Sequence, residues 1–595
     1  METPDLILNN GRVTTLDPGK PEAKHVAIKD GRIVAVSDED IEPGPHTKVI
    51  DLQGHRVIPG LNDSHLHLIR SGLNYNLELR WDGIPSLSEA MRMLKLQAAA
   101  TPTGQWVRVV GSWSEFQFVE QRMPTLDELN EAAPDTPVFI LHLYCRALLN
   151  RAALRACGYT KDTPDPPGGE IQRDKNGNPT GLLIARPNAM ILYATLAKGP
   201  KLPPEHQLNS TRHFMRELNR LGVTSCIDAG GGFQNYPEDY EIVRQLHERN
   251  ELTVRIAYNL FTQKPKQEKE DFARWMKMTK PGDGDAFFRM NGAGEMLVFS
   301  AADFEDFLEP RPDLAASLES ELEDVVTALA SNGWPFRLHA TYDESISRFL
   351  DVFERVNREV PLQDLRWFLD HCETISDRNL ERVKTLGGGI AIQHRMAFQG
   401  EYFVDRYGAK AAERTPPIRR MLEMGIPVGA GTDATRVANY NPFNSLYWLV
   451  SGRTVGGMEL YPEANRMARE EALRLYTAGS AWFSGEDDVK GRIVPGQLAD
   501  LVVTSEDYLA VPEEKIRDLQ SVLTIVGGKP VYAAGPFREH DASPIPVLPE
   551  WSPVARFGGY GAPHWDGRAA ALKSSPRSVP SPGPLWGTGC DCFAF

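Results

Sequence analysis

Two histidines separated by one residue end an apolar stretch near the start of the chain, and this spacing could hold a metal ion. His65 and His67 close the stretch that begins at Val57. Side chains alternate between the two faces of a β-strand, so both imidazoles would point the same way. Neutral imidazole is a usual ligand of zinc and similar cations. A pair of ordinary core or surface histidines is the less favoured interpretation, because the chain has only 14 histidines in 595 residues.

More side chains with ligand nitrogen or oxygen atoms follow later apolar runs. Taken singly, a histidine or a carboxylate at the end of a strand is more often structural. Six such groups at five strand ends predict a metal site, since the functional residues of parallel α/β folds come from the C-terminal ends of different strands. The six are His65, His67, Glu295, His339, His371 and Asp433.

Eight apolar runs that end in polar residues predict the strands that would carry these side chains. Helical patterns lie between several of them, for example over residues 210–221, with Ser210 as a candidate N-cap and Gly222 as the stop. Strand alternating with helix is typical of a parallel α/β architecture. The eight runs start at residues 57, 223, 254, 288, 336, 367, 390 and 428.

Short apolar runs broken by turn residues occupy both ends of the chain and predict hairpins. Neither end has enough strands to close a core alone, so residues 1–56 and 490–540 are expected to pair into one composite β domain. The barrel domain, residues 57–489, is then inserted between its halves. The segment at about 70–205 is too long for one crossover, which predicts a subdomain over the barrel mouth, where loops set substrate choice. The Pro-, Gly- and Ser-rich residues 541–595 are expected to be an extended or disordered tail that could dock on another surface.

Composition excludes several classes of partner. A formal net charge of −15, with no cluster of Lys and Arg, disfavours nucleic acid and anionic membranes. The start of the chain has no signal-peptide pattern and no stretch reaches 18 apolar residues, so a cytoplasmic protein without a membrane span is expected. Six scattered cysteines suit reduced thiols, and Cys590-Asp591-Cys592 is a weak metal or disulfide signal for which an inert tail is favoured. A homodimer is the default expectation for a soluble enzyme of this kind.

The motif Val-Ile-Pro-Gly-Leu-x-Asp-x-His-x-His at residues 57–67 resembles the first-strand signature of the amidohydrolase superfamily. The resemblance extends over roughly residues 4–540 and is to the YtcJ-like branch, which includes N-substituted formamide deformylases. It implies an α/β fold: a (β/α)8 TIM barrel with a small composite β-sandwich domain from the N- and C-terminal segments and an inserted subdomain after the first strand. It also implies a metal-dependent hydrolase.

Motif by motif, the resemblance assigns roles to three of the later residues. His339 in Phe-Arg-Leu-His-Ala resembles the fifth-strand ligand, and His371 in Leu-Asp-His-Cys-Glu resembles the sixth-strand ligand. Asp433 in Gly-Ala-Gly-Thr-Asp-Ala resembles the eighth-strand aspartate, which in the family binds metal and serves as general base. A carboxylate beside a metal-activated water can take its proton and pass it to a leaving nitrogen.

Three positions depart from the pattern of this branch. Glu295 stands where the branch often has a carboxylated lysine, and a glutamate can bridge two metals without carbon dioxide. Cys145 stands where a histidine five residues before Asn150 is common, and Ala185 where relatives carry Glu. For Cys145 a substrate contact or packing is favoured over a soft metal ligand. Both changes in the insertion are expected to alter the substrate.

The predicted function is hydrolysis of the C–N bond of an amide, formamide or cyclic amide, with a small-molecule substrate and one or two zinc ions, or another divalent metal, per chain. Deamination is a weaker alternative, because relatives often place Glu three residues after the fifth-strand histidine, where this chain has Tyr342 and only later Glu344. Ester or lactone hydrolysis uses the same activated water. A non-catalytic scaffold or regulator is disfavoured, since a binding module has no need for Asp433 beside four metal histidines.

Substrate contacts are the least determined part of the prediction. His394 and Arg395 at the seventh strand end could hold polar groups, with a structural role equally favoured. Arg436 follows Asp433 closely and could orient it or contact substrate. Trp113 and Cys145 could face a pocket from the insertion, although aromatic residues in an insertion are more often core.

Overall fold

The structure is a computed structural model that describes residues 3–186, 189–232, 234–308 and 310–561. Eight parallel strands, numbered β1 to β8 in chain order, are Leu61–Leu66, Val223–Asp228, Arg255–Leu260, Phe288–Ala293, Arg337–Ala340, Phe368–His371, Gly389–Gln393 and Val428–Gly431. Strands β1 to β4 form one four-stranded sheet and β5 to β8 form another, each in chain order. The prediction of an α/β fold is confirmed.

Isolated parallel bridges join these two sheets at both of their edges. Ala293 at the end of β4 pairs with Phe336 just before β5, and Leu66 of β1 pairs with Ala434 after β8. The backbone N–H of His67 donates to the carbonyl of Ala434 at 3.2 Å, which reinforces the second seam. The carboxyl ends of strands from both sheets therefore meet.

Helices lie between the parallel strands and after β8, and most of them bury one face, whereas Pro442–Ser451 is buried along its whole length. The helix predicted from Ser210 begins earlier, at Pro204, because proline at the first helical position already has the helical φ. Ser210 is not its N-cap; its hydroxyl is buried within the helix and donates to the carbonyl of Gly72. The helices of this part are Leu68–Asn74, Pro204–Arg220, Glu241–Glu248, Glu268–Trp275, Leu318–Ser331, Asp343–Glu359, Asp377–Thr385, Met396–Tyr407, Ala409–Ala412, Ile418–Glu423, Pro442–Ser451 and Arg469–Arg474.

The apolar run at residues 57–68, predicted as one strand, is two strands that belong to different sheets. Arg56–Pro59 pairs antiparallel with Leu501–Thr504, and the chain then passes Gly60 into β1. Glycine is required at this junction because a Cβ atom on Gly60 would lie 2.2 Å from Oγ1 of Thr224. A continuous apolar pattern does not reveal such a change of sheet.

Segments from near both ends of the chain share one sheet and a hydrophobic core. A six-stranded sheet combines strands of residues 12–59 with strands of residues 501–533, and a four-stranded sheet lies beside it with shared buried side chains such as Leu8, Val57 and Leu501. The six strands in order are Lys529–Ala533, Ser521–Val526, Leu501–Thr504, Arg56–Pro59, Arg12–Thr14 and Glu22–Ala23. The four are Arg32–Ser37, His25–Lys29, Leu6–Asn9 and Lys48–Asp51.

The segment between β1 and β2 forms a five-stranded sheet with its own helices. The sequence predicts two strands here, and the structure has three more. Gly169–Arg173 and Pro179–Ala185 are half-buried and contain Gly or Pro, so their apolar signal is weak, and Arg146–Leu149 has only four residues. The strands in sheet order are Gly169–Arg173, Pro179–Ala185, Arg146–Leu149, Val138–His142 and Val107–Val110. The helices are Leu87–Ala100, Leu126–Ala132, Arg151–Cys157 and Met190–Leu196.

Residues 541–561, predicted as the start of an extended or disordered tail, are ordered against the body and include the short helix Pro553–Phe557. The Asn76 amide donates to the carbonyl of Leu548 at 2.8 Å, and the backbone N–H of Tyr560 donates to Glu217 at 2.7 Å. Cys590-Asp591-Cys592 lies outside the described residues. In the described ranges, every helix is too short or too polar to cross a membrane.

Candidate metal centre

Six side chains from five strand ends converge at the junction of the two parallel sheets. Parallel strands present their last residues at one edge, which is why distant positions in the sequence meet there. All six side chains are buried. They are His65 of β1, His67 just after it, Glu295 after β4, His339 of β5, His371 of β6 and Asp433 after β8.

Three overlapping groups of these residues bring their ligand atoms within 4.8 Å of one another. The groups are His65, His67 and Glu295; His65, His371 and Asp433; and Glu295, His339 and His371. Each group could hold a metal ion through imidazole nitrogen and carboxylate oxygen, a donor set that suits zinc. The structure thus places all six predicted ligands together.

Glu295 is the carboxylate that the first and third groups share. Its Oε2 atom lies 3.6 Å from Nε2 of His65, 3.2 Å from Nδ1 of His339 and 3.4 Å from Nε2 of His371. Asp433 lies across the cluster, with Oδ1 at 3.2 Å from Nε2 of His67 and 3.4 Å from Nε2 of His65. One carboxylate therefore lies between two sets of histidines.

Neighbouring groups orient the two histidines of the first strand. The Nδ1 atom of His65 is 2.9 Å from Oδ1 of Asp370, whose other oxygen accepts from Nε of Arg337 at 2.8 Å. The Nδ1 atom of His67 is 2.5 Å from the carbonyl of Gly230. The Gly230 carbonyl only accepts, so the proton of His67 lies on Nδ1 and its Nε2 lone pair faces the cluster. Nδ1 of His65 also lies 2.6 Å from Nη2 of Arg337, and Nε2 of His65 is free to bind a metal when Nδ1 donates to Asp370.

The nitrogen and oxygen atoms of the cluster would be satisfied better by a metal ion than by hydrogen bonds to one another. Nε2 of His65 and Nδ1 of His371 have no hydrogen-bond partner among the described residues, although both are buried. Buried polar atoms are normally satisfied, and exceptions call for an unseen partner such as an ion. His371 and Asp433 also have left-handed backbone, with φ of 78° and 57°, a costly conformation that clusters at functional sites.

The charges of the cluster depend on one another in the metal-free protein. Burial alone would raise the pKa of Asp433, but the imidazoles of His65, His67 and His371 outweigh burial and lower it. Burial likewise opposes ionisation of His339, yet its contact with the Glu295 carboxylate raises its pKa to about 9. The site therefore stabilises positive charge next to Glu295, as a cation ligand would require.

Both predicted contacts in the insertion are buried, Trp113 in the core of the insertion and Cys145 in the apolar cluster that contains the parallel strands. The Trp113 indole N–H donates to the carbonyl of Leu141 at 3.0 Å, and the ring packs against Trp81. Cys145 lies 3.9 Å from Nδ1 of His142, and burial raises the pKa of its thiol. Their roles as substrate contacts stay predictions, although these positions favour packing.

The three predicted contacts on the strand-end side have different surroundings. Burial lowers the pKa of His394 to about 4, so its imidazole is neutral. Arg395 is fully buried and ion-paired with Glu373 at 2.7 Å and with Glu305, an arrangement that favours a structural role. Arg436 is buried, and its Nη1 atom lies 3.4 Å from Oε1 of Glu78. Substrate contact by these three stays a prediction as well.

Sequence reasoning missed the residues that hold the ligands in place. Asp63 accepts hydrogen bonds from the backbone and hydroxyl of Thr432, which ties β1 to β8. Asp370 stands directly before His371 in the sequence, and this adjacency is the one feature of the sequence that could have indicated its role. Glu305 lies 3.6 Å from Nε2 of His339 and comes from an irregular loop, where no periodic pattern points to it.

The chain is similar to several known proteins over most of its length. The amidohydrolase family model matches residues 48–532. An N-substituted formamide deformylase of Arthrobacter pascens is 27% identical over 546 residues, which cover 88% of this chain and 97% of the relative. The putative amidohydrolase YtcJ of Bacillus subtilis is 25% identical over 548 residues, with 88% and 99% covered. An uncharacterized metal-dependent hydrolase of Pyrococcus horikoshii has a TM-score of 0.61 at 20% identity, covering 86% of this chain and 99% of that chain.

An α/β fold with buried histidines and carboxylates at parallel strand ends defines a protein of the metal-dependent hydrolase class. Because the family match covers most of its length, the chain belongs to the amidohydrolase family, and it is an enzyme that hydrolyses carbon–nitrogen bonds of small molecules. The resemblance expected from the sequence motifs is therefore confirmed.

Proposed function

We propose that this enzyme hydrolyses an amide, formamide or cyclic amide at the strand-end cluster, with Asp433 as general base. The observation that carries the proposal is the position of Glu295 between His65 on one side and His339 with His371 on the other. A shared carboxylate flanked by two histidine sets is the arrangement that two neighbouring cations need. The relative from Arthrobacter pascens, named as a formamide deformylase, supports the same bond type.

The proposed architecture is a single (β/α)8 barrel. The parallel bridges Ala293–Phe336 and Leu66–Ala434 support it, because they link the two four-stranded sheets at both edges. Closure of the ring would direct all eight carboxyl ends to one mouth. The five-stranded insertion then follows β1 and contributes to that mouth.

Zinc is the proposed metal, with two ions per chain. His65, His67 and Glu295 would hold one ion, and Glu295, His339 and His371 the other, with Asp433 beside them. When bound, zinc would polarise the carbonyl of the substrate and lower the pKa of a water molecule. Nitrogen and oxygen donors without thiolates also admit other divalent metals.

The chain's own residues supply the proton transfers. Surrounding imidazoles keep the Asp433 carboxylate ionised, so a proton acceptor is present at the cluster. Its Oδ1 atom faces His65 and His67, and its Oδ2 atom lies 3.9 Å from Nδ1 of His371. Asp433 would accept the proton of the attacking water and donate it to the leaving nitrogen, which a nitrogen needs in order to depart as an amine.

Deamination, the weaker alternative, loses support from the position of Glu344. This carboxylate lies on the helix Asp343–Glu359, is largely exposed and pairs with Arg311. Tyr342, at the position where deaminases often have Glu, receives a hydrogen bond from the backbone N–H of Asp306. Neither is placed to protonate a ring nitrogen at the cluster. Ester or lactone hydrolysis as a further activity of the same cluster is measured with the matched esters of the substrate panel.

The test combines metal content with turnover for wild type and Glu295→Ala. We expect about two zinc equivalents per chain in wild type and one or fewer in the variant, because the shared carboxylate is a ligand in both groups. Elemental analysis measures the zinc, and a panel of formamides, acetamides, cyclic amides and matched esters measures the reaction. Turnover in the variant should fall by about a hundredfold or more.

The matched control is Glu344→Ala, which removes an exposed carboxylate from the same half of the molecule. It should keep both metal equivalents and full turnover. If wild type binds a single metal ion and Glu295→Ala still binds it, Glu295 is not a metal ligand. The hypothesis of a mononuclear deaminase would then be favoured again. No metal in either protein after reconstitution would contradict the metal-dependent mechanism.

A further inference from the structure

Two buried arginines stand next to the metal-ligand cluster and are not used in the proposed chemistry. Arg70 follows His67 by three residues, and Arg436 follows Asp433 by three. The Leu66–Ala434 bridge brings the helix Leu68–Asn74 and the segment after β8 together, and Ser71 and Thr435 share a hydrogen bond of 3.0 Å between them. Two guanidinium groups that are far apart in the sequence are therefore neighbours in the structure.

Both guanidinium groups flank the ring of Tyr193. The Cζ atom of Arg70 lies 5.7 Å from the ring centroid and that of Arg436 lies 5.9 Å from it. Arg70 also abuts Gly231, where a Cβ atom would lie 2.8 Å from Nη1. The insertion thus supplies an aromatic ring, and the segments that follow β1 and β8 each supply one guanidinium group.

These cations are buried with incomplete compensation. Arg70 is 8% exposed and Arg436 is 3% exposed. Nε and Nη2 of Arg70 and Nε of Arg436 have no hydrogen-bond partner within the part of the chain that the structure describes. Glu78 is 3.4 Å from Arg436, but its other oxygen is paired with Arg80. A buried charge without full pairing is costly, and a bound anion would offset that cost.

Mutual repulsion of the two cations is evident at Arg436. Burial lowers the pKa of Arg436, Glu78 opposes this effect, and the neighbouring charge of Arg70 lowers the pKa further. Like charges held together in a buried place are typical of a site that binds the opposite charge, as arginine pairs do for carboxylates.

A row of half-buried aromatic rings leads from the arginines to the metal-ligand cluster. The Tyr193 and Tyr144 ring centroids are 6.0 Å apart, and those of Tyr144 and Phe304 are 6.5 Å apart. The Phe304 ring is 5.3 Å from the imidazole of His339. Partial exposure of all three rings indicates a surface that a ligand could cover.

We propose that the substrate is an amide with a carboxylate at one end, bound by Arg70 and Arg436, and an aromatic or apolar body that lies along Tyr193, Tyr144 and Phe304. The amide end would then reach the cluster at His339. The carboxylate site stands on the arginines alone, whereas the amide end rests on the proposed function.

The first test compares 4-(formamidomethyl)benzoate with N-benzylformamide, which has the same formamide and ring but no carboxylate. Wild type should favour the acid in kcat/KM. In Arg70→Gln and in Arg436→Gln, the ratio of the acid to the neutral substrate should fall by roughly 30-fold or more, because each change removes one partner of a buried charged contact. The control Arg255→Gln should keep the wild-type ratio, since Arg255 pairs with Asp500 at the opposite end of β3.

The second test needs no turnover. Calorimetry measures binding of 3-phenylpropanoate and of 3-phenylpropanol, neither of which has an amide, to the full-length metal-loaded protein. The acid should bind wild type and Arg255→Gln, and its affinity should fall by about tenfold or more in each of the other two variants. Arg436→Lys, which keeps the charge, should restore part of the affinity lost in Arg436→Gln.

These measurements separate the two proposals. Arginine-dependent binding of 3-phenylpropanoate by a protein that hydrolyses neither formamide would support the carboxylate site and contradict the proposed function. Hydrolysis with an acid-to-neutral ratio that Arg70→Gln and Arg436→Gln leave unchanged would overturn the carboxylate site and leave the function intact. Binding that survives both changes, or no binding to folded wild type, would overturn the carboxylate site too.

Discussion

At the scale of single residues, the cluster combines ligands that the sequence reveals with supports that it hides. His65 and His67 are visible because period-two spacing ends an apolar run. Asp370 and Arg337 are not, because an alternating strand pattern marks buried positions without saying which ones contact each other. The left-handed backbone of His371 and Asp433 is not predictable from sequence either, since histidine and aspartate adopt it more often than most residues but still in only a small fraction of cases.

Asp370 provides a test of how much the support matters. We expect Asp370→Asn to weaken zinc binding by about 10- to 100-fold, because an amide can donate to Nδ1 of His65 and so move the ring proton to Nε2, which faces the cluster. Competition with a chromophoric chelator measures the affinity.

A matched control is Asp500→Asn, which breaks another buried aspartate–arginine pair, with Arg255, away from the ligands. It should lower stability and leave zinc affinity within about threefold of wild type. Equal losses of affinity in both variants would assign the effect to general destabilisation and contradict the orienting role of Asp370.

At the scale of elements, the sequence predicts the eight parallel strands but not where one sheet passes into the next. Apolar runs with polar ends mark buried strands, and all eight runs contain one. Gly60 shows the limit of the pattern: the run at residues 57–68 is predicted as one strand, yet its first part pairs with Leu501–Thr504. Which strand pairs with which depends on contacts between distant residues.

The Gly60 junction can be tested by adding one methyl group. Gly60→Ala should lower the free energy of unfolding by about 1 to 3 kcal/mol, because its Cβ would meet Thr224 at 2.2 Å. Thr224→Ala in the same protein should recover part of the loss, since it removes the two nearest atoms. Chemical denaturation measures both variants.

Gly19→Ala is the control, because the nearest atom to its Cβ is 3.5 Å away and its φ is not in the left-handed region. Its stability should stay within about 0.5 kcal/mol of wild type. A Gly60→Ala protein as stable as this control would show that the junction tolerates a side chain.

At the scale of the whole molecule, the insertion and the last described segment enclose the carboxyl group of Asp82. Asp82 is 1% exposed, its carbonyl accepts from the backbone N–H of Gly561 at 2.9 Å, and both carboxyl oxygens have no hydrogen-bond partner among the described residues. Burial raises the pKa of Asp82 to about 7, although Arg80 opposes the shift. The folded protein therefore keeps a proton there that the unfolded chain releases near pH 4.

The sign of the resulting pH effect follows from this difference. As pH rises from about 4 to about 7, the unfolded chain loses the Asp82 proton and the folded protein retains it, so this group's contribution to stability decreases. Asp82→Asn removes the effect. Relative to wild type, the variant should therefore gain about 2 to 3 kcal/mol in unfolding free energy between pH 5 and pH 8.

Denaturant titrations at several pH values measure this gain. Asp324→Asn, which removes an exposed carboxylate paired with Lys269, should show no such trend. Parallel curves for wild type and Asp82→Asn across the pH range would contradict a raised pKa at Asp82.

The sheet shared by the two ends of the chain has a consequence for synthesis. Arg56–Pro59 leaves the ribosome early, but its partner Leu501–Thr504 follows only after about 440 more residues. At about 5 to 20 residues per second, that edge stays unpaired for roughly 20 to 90 seconds. During this time the strand next to His65 exposes an apolar edge open to other chains. We therefore expect translation speed and chaperone supply to affect the yield of this enzyme.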